Sequence, residues 1–164
     1  MHTSASRLVL VGPLLEEALK FKPSGFALAC DPRVSLAYGA HVAGVSGDPK
    51  VFIDNRKSAE FASIHVFCVN EIDREVSIND FLNQKSIRVL AKPANLREML
   101  SFIEDYPLEA RRGRLVCINS GIISSVTDYP AMVVFEVRGS GFYAAIDYRS
   151  RTLLPGDVVI MKKK

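Results

Sequence analysis

Residues 86–103 constrain the fold of this 164-residue chain more than any other stretch of its sequence. Residues 87–90 predict a short buried strand, and Pro93 breaks it because proline disfavours helical angles at the preceding Lys92. Asn95 can then cap a helix whose apolar residues recur at i, i+3, i+4 and i+7. These are Leu96, Met99, Leu100 and Ile103. The stretch therefore predicts a strand, a corner and a helix, with Lys92 at a strand end, where open α/β sheets place ligand groups.

Apolar strands and short helices alternate along residues 7–106. Strands are predicted at residues 7–11, 26–30, 51–53, 64–69 and 87–90, and helices at 14–21, after Asp31-Pro32, at 77–82 and at 95–106. Strands that are apolar throughout and alternate with helices indicate a parallel sheet covered on both faces. We therefore expect an α/β fold, a five-stranded doubly wound parallel sheet, with Val9, Phe52 and Val66 on central strands.

The pattern changes after residue 107. The net charge is +3, and basic residues exceed acidic ones only beyond this point. Strands at 131–137 and 142–146 flank a glycine-containing turn, which predicts a hairpin. We expect residues 1–107 to form the α/β domain and residues 113–164 to form a small antiparallel β meander or barrel. Because its strands are apolar on both faces, this β segment should pack on the first domain or on a second copy.

Residues 7–106 resemble the receiver domain of response regulators, and the lysine-proline-helix stretch is the most specific part of that resemblance. The resemblance implies a flavodoxin-like strand order of 2-1-3-4-5. It implies that Asp54, after the third strand, is the phosphate-accepting aspartate and that Lys92 contacts the acyl phosphate. Asn70 falls on the family's Ser/Thr switch position.

The chain departs from the receiver pattern at the metal site. Receivers follow the first strand with paired acids that bind Mg²⁺, whereas this chain has Gly12 and Pro13 there. A single carboxylate is a poor Mg²⁺ site, and phosphoryl transfer needs the metal. We therefore expect a degenerate receiver with no metal, no cofactor and no enzymatic activity.

Such a protein would act in signalling through protein–protein contact, with another protein or with a second copy. The resemblance implies that the contact surface is the face of the fourth helix, fifth strand and fifth helix. Arg88, Asn95, Arg97 and Glu98 are expected to be exposed on that face.

Two other functions remain open from the sequence. In one, the chain is a phosphorylatable response regulator that uses Asp54; the plainer interpretation makes Asp54 a turn former and Lys92 a lysine with a solvated head. In the other, the basic β segment binds nucleic acid or a nucleotide. The cations expected to serve it are Arg111, Arg112, Arg114, Lys162, Lys163 and Lys164.

The cysteines and the hydropathy pattern bear on the compartment. Cys30, Cys68 and Cys117 lie in apolar runs without metal-type spacing, which is typical of buried, reduced thiols. No apolar run reaches the ~18 residues of a membrane-spanning helix. We therefore expect a cytoplasmic protein that does not associate with membranes.

Overall fold

The structure is a computed structural model that describes residues 25–30, 34–53, 63–126 and 129–164. The predicted strand at 7–11, including Val9, and the helix at 14–21 lie outside the described residues. So do Gly12, Pro13 and the candidate phosphoacceptor Asp54.

The described residues form four α-helices, two short 3-10 turns and ten strands. The helices are α1 (Leu36–Ala43), α2 (Ile78–Asn83), α3 (Lys85–Leu90) and α4 (Leu96–Asp105), and the 3-10 turns are Pro49–Phe52 and Glu109–Arg111. The strands are β1 (Gly25–Cys30), β2 (Val45–Gly47), β3 (Ser63–Glu71), β4 (Val76–Ser77), β5 (Ala91–Pro93), β6 (Arg114–Cys117), β7 (Met132–Arg138), β8 (Gly141–Asp147), β9 (Thr152–Leu153) and β10 (Asp157–Lys163).

Eight of these strands form one mixed sheet in the order β1-β3-β10-β6-β7-β8-β2, with β5 also paired to β10. Only the β10–β6 and β8–β2 pairs are parallel, and the other pairs are antiparallel. β4 and β9 form a separate two-stranded sheet. The expected five-stranded parallel sheet with receiver-like, doubly wound order is therefore wrong for this chain.

Both faces of the sheet are covered at its central strands, and this explains the continuous apolar run of β10. On β10, Val158 and Ile160 belong to the core shared with α1 and α4, whereas Val159 and Met161 belong to the core shared with α2 and α3. Successive side chains of a strand point to opposite faces, so a strand between two helical layers must be apolar at every position. The sequence pattern correctly predicted burial on both faces, but burial on both faces does not require parallel strands.

Two predicted strands are helical. Residues 51–53 were expected to form a strand, but Phe52 belongs to the 3-10 turn Pro49–Phe52. Asp48 caps that turn by accepting a hydrogen bond from the Lys50 backbone N–H at 3.0 Å, with proline following at the first helical position. Residues 87–90 belong to α3, where Ile87 is buried while Val89 and Leu90 are about half exposed. Short apolar runs do not distinguish a strand from a helix by periodicity alone.

Several local predictions are confirmed. β1 and β3 lie on the expected apolar runs, with Val66 buried on β3, and Ser77 caps α2. β7 and β8 form the predicted hairpin around Gly139. Asn95 caps α4 reciprocally with Glu98, at 2.9 and 3.0 Å.

The last strand joins the two predicted segments. β10 lies between β3 on one side and β6 and β5 on the other, so one sheet contains strands from before and after residue 107. Within the described residues, no helix is both long and apolar enough to cross a membrane.

Candidate functional site

Of the receiver-type residues, the structure describes Asn70 and Lys92, and it does not bring these two together. Asn70 on β3 pairs with Val159, and Lys92 on β5 pairs with Lys162, on opposite sides of β10. Three residues along β10 and two strand spacings separate them by roughly 14 Å. They also point to opposite faces, because cross-strand partners share a face and residues 159 and 162 of β10 differ in parity. Asn70 donates a hydrogen bond to the Cys68 sulfur, and Lys92 is exposed.

The four predicted interaction residues do not share one surface. Arg88 lies on α3, on one side of the sheet, whereas Arg97 and Glu98 lie on α4, on the other side, and Asn95 caps α4. Glu98 was expected to be exposed but is 4% exposed, and it pairs with Lys162 at 2.6 Å. Asn95 and Glu98 therefore stabilise α4.

The basic residues of the predicted nucleic-acid-binding surface contact separate parts of the fold. Arg114 makes two hydrogen bonds to Asp157, at 2.7 and 2.9 Å, and these raise the pKa of Arg114 above its ordinary value. Arg112 pairs with Glu109 at 2.7 Å, and Arg111 donates to the Ser140 carbonyl at 2.6 Å.

The terminal lysines are engaged at the other end of β10. Lys162 pairs with Glu98, and the Lys164 Nζ donates to the Arg88 carbonyl at 2.6 Å. Residues 157 and 163 mark the two ends of β10, and six strand steps separate them by roughly 20 Å. The arginines and the lysines therefore do not form one continuous patch among the described residues.

The Glu98–Lys162 pair fixes the start of α4 against the sheet. Glu98 Oε2 bonds the Lys162 Nζ, while Oε1 accepts the Asn95 backbone N–H. β5 leads directly into α4, and the Ala94 N–H bonds the Ile160 carbonyl at 3.0 Å. Asn95 also forms a bridge with Asn119, which follows β6. The beginning of the helix is thus placed by β10, β5 and the segment after β6.

A cavity of about 470 Å³ opens at this point, and we call it the α4 cavity. Four parts of the chain surround it: the start of α1, the 3-10 turn Pro49–Phe52, the first turn of α4 and residues 120–123, together with Tyr148. Its described lining residues are Leu36, Lys50, Val51, Ile53, Asn95, Leu96, Arg97, Ser120, Gly121, Ile122, Ile123 and Tyr148. Its volume lies within the range of small-molecule sites.

The charged residues in the described lining of the α4 cavity are both basic. Lys50 and Arg97 line it, and no Asp or Glu is among its described lining residues. The Arg97 Nε donates to the Val34 carbonyl at 2.9 Å, which holds the guanidinium at the start of α4. The Lys50 ammonium makes no hydrogen bond or ion pair within the described part of the chain. The positive end of the α4 dipole adds to this potential.

The remainder of the lining is largely apolar. Leu36, Val51 and Leu96 are buried in the core, and Ile53 and Ile123 are exposed at the cavity. A site with a cationic side and apolar walls matches a ligand that carries both an anionic group and an apolar portion.

The Ser120 hydroxyl makes two hydrogen bonds to backbone groups of the protein. Its Oγ donates to the Ala131 carbonyl at 2.7 Å and accepts from the Ile122 N–H at 3.1 Å. No His, Cys, Asp or Glu lies among the described lining residues to activate a nucleophile. No group of three or more metal-ligating side chains is found in the described ranges. Ser120 therefore has a structural role at the α4 cavity.

The sequence indicated Asn95 and Arg97 as contact residues, but it did not indicate Lys50, Ser120 or Tyr148, the other polar groups of the α4 cavity. Lys50 had a detectable signal, since Asp48-Pro49 marks the start of a helical turn. No local pattern indicated Ser120 or Tyr148, because they reach the cavity through strand pairing that is distant in sequence.

Comparison of the chain with protein-family models, with curated proteins and with solved structures gives no match.

Proposed function

We propose that this chain is a binding protein whose α4 cavity holds an anionic ligand with an apolar portion. The observation that carries this proposal is the placement of Lys50 and Arg97 in a cavity of about 470 Å³ whose described lining contains no acid. The anionic group would sit between the two cations and the first turn of α4. The apolar portion would contact Leu36, Val51 and Ile122.

Electrostatics supports an anion at this place. A charge-assisted hydrogen bond contributes about 1.5–3 kcal/mol, and it is shorter and stronger than a neutral one. The first N–H groups of a helix have no intrahelical acceptor and point outward. In α4 the Glu98 N–H is taken by the Asn95 side chain, whereas the N–H groups of Leu96 and Arg97 precede any intrahelical partner. A carboxylate, sulfonate or phosphate matches this donor set.

A fluorescent anionic amphiphile tests the proposal. We expect 1-anilinonaphthalene-8-sulfonate to bind the folded protein with one site and to gain fluorescence. Lys50→Gln should weaken this binding about tenfold, the effect of losing one charge-assisted contact. The matched control is Lys85→Gln, which removes an exposed lysine of α3 that does not line the cavity.

The result that would overturn the proposal is equal affinity of Lys50→Gln and wild type for the probe. Equal losses in Lys50→Gln and Lys85→Gln would also overturn it, because they would indicate a general charge effect. Inorganic phosphate supplies a second readout: it should compete with the probe if the anionic group provides the recognition.

Contact with another protein chain is the second candidate function, and one observation favours it. Tyr38 and Val42 on α1, and Val34 just before this helix, have exposed side chains next to a groove against α4. This surface is separate from the predicted contact surface except at Arg97.

The nucleic-acid alternative stays a prediction. Arg112, Arg114 and Lys162 each form an ion pair with an acidic side chain, so their charges are partly compensated. Salt-dependent retention on heparin tests it, because the salt slope counts the phosphates or sulfates that the protein neutralises.

A further inference from the structure

The apolar walls of the α4 cavity are aliphatic in the part of the lining that the structure describes. Six of the twelve described lining residues are leucine, isoleucine or valine: Leu36, Val51, Ile53, Leu96, Ile122 and Ile123. Tyr148 is the one aromatic residue in that described lining. Flat rings such as nucleobases are typically held by stacking on aromatic side chains, whereas an aliphatic chain needs only apolar contact.

The aliphatic residues extend from the interior of the cavity to its mouth. Leu36, Val51 and Leu96 are buried in the core. Ile53 and Ile123 are 57% and 65% exposed. Each of these two isoleucines leaves apolar surface in water, and contact with an apolar ligand would remove that surface from water. The mouth of the cavity therefore favours an apolar chain over a polar one.

Two neutral polar side chains of the cavity already bond within the protein. The Asn95 Oδ1 accepts the Glu98 N–H, and the Ser120 Oγ bonds two backbone groups. A sugar or a nucleobase brings several donors and acceptors that lose water on binding, and each one left unpaired weakens binding. An aliphatic chain brings no such groups, so it suits this lining better.

We infer that the ligand of the α4 cavity is a free anion that carries one aliphatic chain, such as an alkanoate. This inference rests on the proposed function and specifies the apolar portion of that ligand. The anionic group lies beside Lys50 and Arg97, and the chain contacts Leu36, Val51 and Ile123. The cavity of about 470 Å³ lies in the lower half of the range of small-molecule sites, about 300–1,000 Å³, so one chain fits it better than two.

Alkanoates of increasing length test the inference, because their carboxylate is constant and only the chain changes. Isothermal titration calorimetry on the full-length protein compares hexanoate, octanoate and decanoate. Each step adds two methylenes and should strengthen binding about 15-fold. The heat-capacity change of binding should become more negative along the series, as it does when apolar surface is buried.

Two variants separate the carboxylate from the chain. Lys50→Gln should weaken all three alkanoates equally, about tenfold, because the carboxylate is common to them. Ile123→Ser should weaken octanoate binding about tenfold by removing an apolar contact. The matched control is Val126→Ser, at a similarly exposed β-branched residue that follows Ile123 closely and is not among the described lining residues. It should bind octanoate as wild type does, and circular dichroism confirms that each variant is folded.

The acyl chain of a lipid offers the same chemistry as a free alkanoate. Dihexanoylphosphatidylglycerol, a soluble anionic lipid with two chains, distinguishes the two sources. It should bind no more tightly than hexanoate, because its second chain stays in water. Tighter binding would assign the α4 cavity to a lipid and overturn the free single-chain ligand.

Three further results overturn the inference and leave the anion site of the proposed function in place. They are equal affinities along the alkanoate series with the loss in Lys50→Gln preserved, equal octanoate binding by Ile123→Ser and wild type, and tighter binding of adenosine monophosphate than of octanoate. If Lys50→Gln weakens neither the alkanoates nor the fluorescent probe, the proposed function is overturned and this inference with it.

Discussion

Two ion pairs connect separate elements of this protein to β10. Glu98 and Lys162 join α4 to β10 with side chains that are 5% and 12% exposed, and Arg114 joins β6 to β10 through Asp157. The sequence alone predicts that these residues are exposed to solvent, because charged side chains usually are. Burial changes their role: each charge depends on its partner, since an unpaired buried charge is strongly unfavourable.

Glu98→Gln tests this dependence. The variant keeps an oxygen for the Asn95 N–H but leaves the Lys162 ammonium without its carboxylate, so we expect a loss of about 3 kcal/mol in the free energy of unfolding. Urea denaturation measures it. The control is Glu136→Gln, at an exposed position, which should change stability by less than ~0.5 kcal/mol.

A second substitution separates lost charge pairing from altered packing. Glu98→Gln combined with Lys162→Met should be more stable than Glu98→Gln alone, because no unpaired charge remains. Wild-type stability of Glu98→Gln would contradict the structural role of the pair.

The elements of this protein are short, and their boundaries depend on caps and glycines. α4 begins at the reciprocal cap of Asn95 and Glu98, which the sequence predicts in part through Asn95. The 3-10 turn Pro49–Phe52 begins at a proline that follows the capping residue Asp48. Between α1 and that turn, β2 reaches β8 only because Gly47 allows the backbones to approach. Gly47 has φ +152°, and an added Cβ would collide with the backbone of Ala144.

Gly47→Ala should therefore destabilise the protein by about 3 kcal/mol or more, since strain and a steric clash add. The Ala144 carbonyl also accepts the Asp48 N–H at 3.0 Å, so β8 cannot withdraw without losing that bond. Gly44→Ala is the matched control: its φ is also positive, at +71°, but no atom lies within 4 Å of the added Cβ. It should lose only about 1 kcal/mol. Thermal unfolding of the two variants compares them, and equal losses would contradict the close approach of β2 to β8.

The sheet of the described residues depends on β10. This strand follows the other nine described strands in sequence, yet it lies inside the sheet and contributes to the cores on both faces. Its neighbours β3 and β6 are far from it in sequence. Pairing of this kind requires most of the chain to be present before the sheet can close.

Truncation after Pro107 should for this reason prevent folding of residues 1–107. β3 would lose β10, and the apolar side chains of α4 would lose the strands against which they pack. We expect low solubility and no cooperative thermal transition by circular dichroism. Removal of Lys164 alone is the control; it eliminates two hydrogen bonds, to Leu90 and Arg88, and should leave a cooperative transition. A soluble 1–107 fragment with a sharp melting transition would contradict the central role of β10.

Local chemistry in the sequence determined the positions of β1, β3, α2, α4 and the β7–β8 hairpin, because caps, turn glycines and apolar periodicity act over a few residues. It also determined that the central strand β10 is buried on both faces. The direction and order of strand pairing were decided only by tertiary structure. The backbone donor and acceptor groups of a strand are nearly independent of its sequence. An apolar run therefore does not specify which strand it pairs with. The Glu98–Lys162 pair and the α4 cavity bring together residues that are distant in sequence. No local sequence pattern could therefore have predicted them.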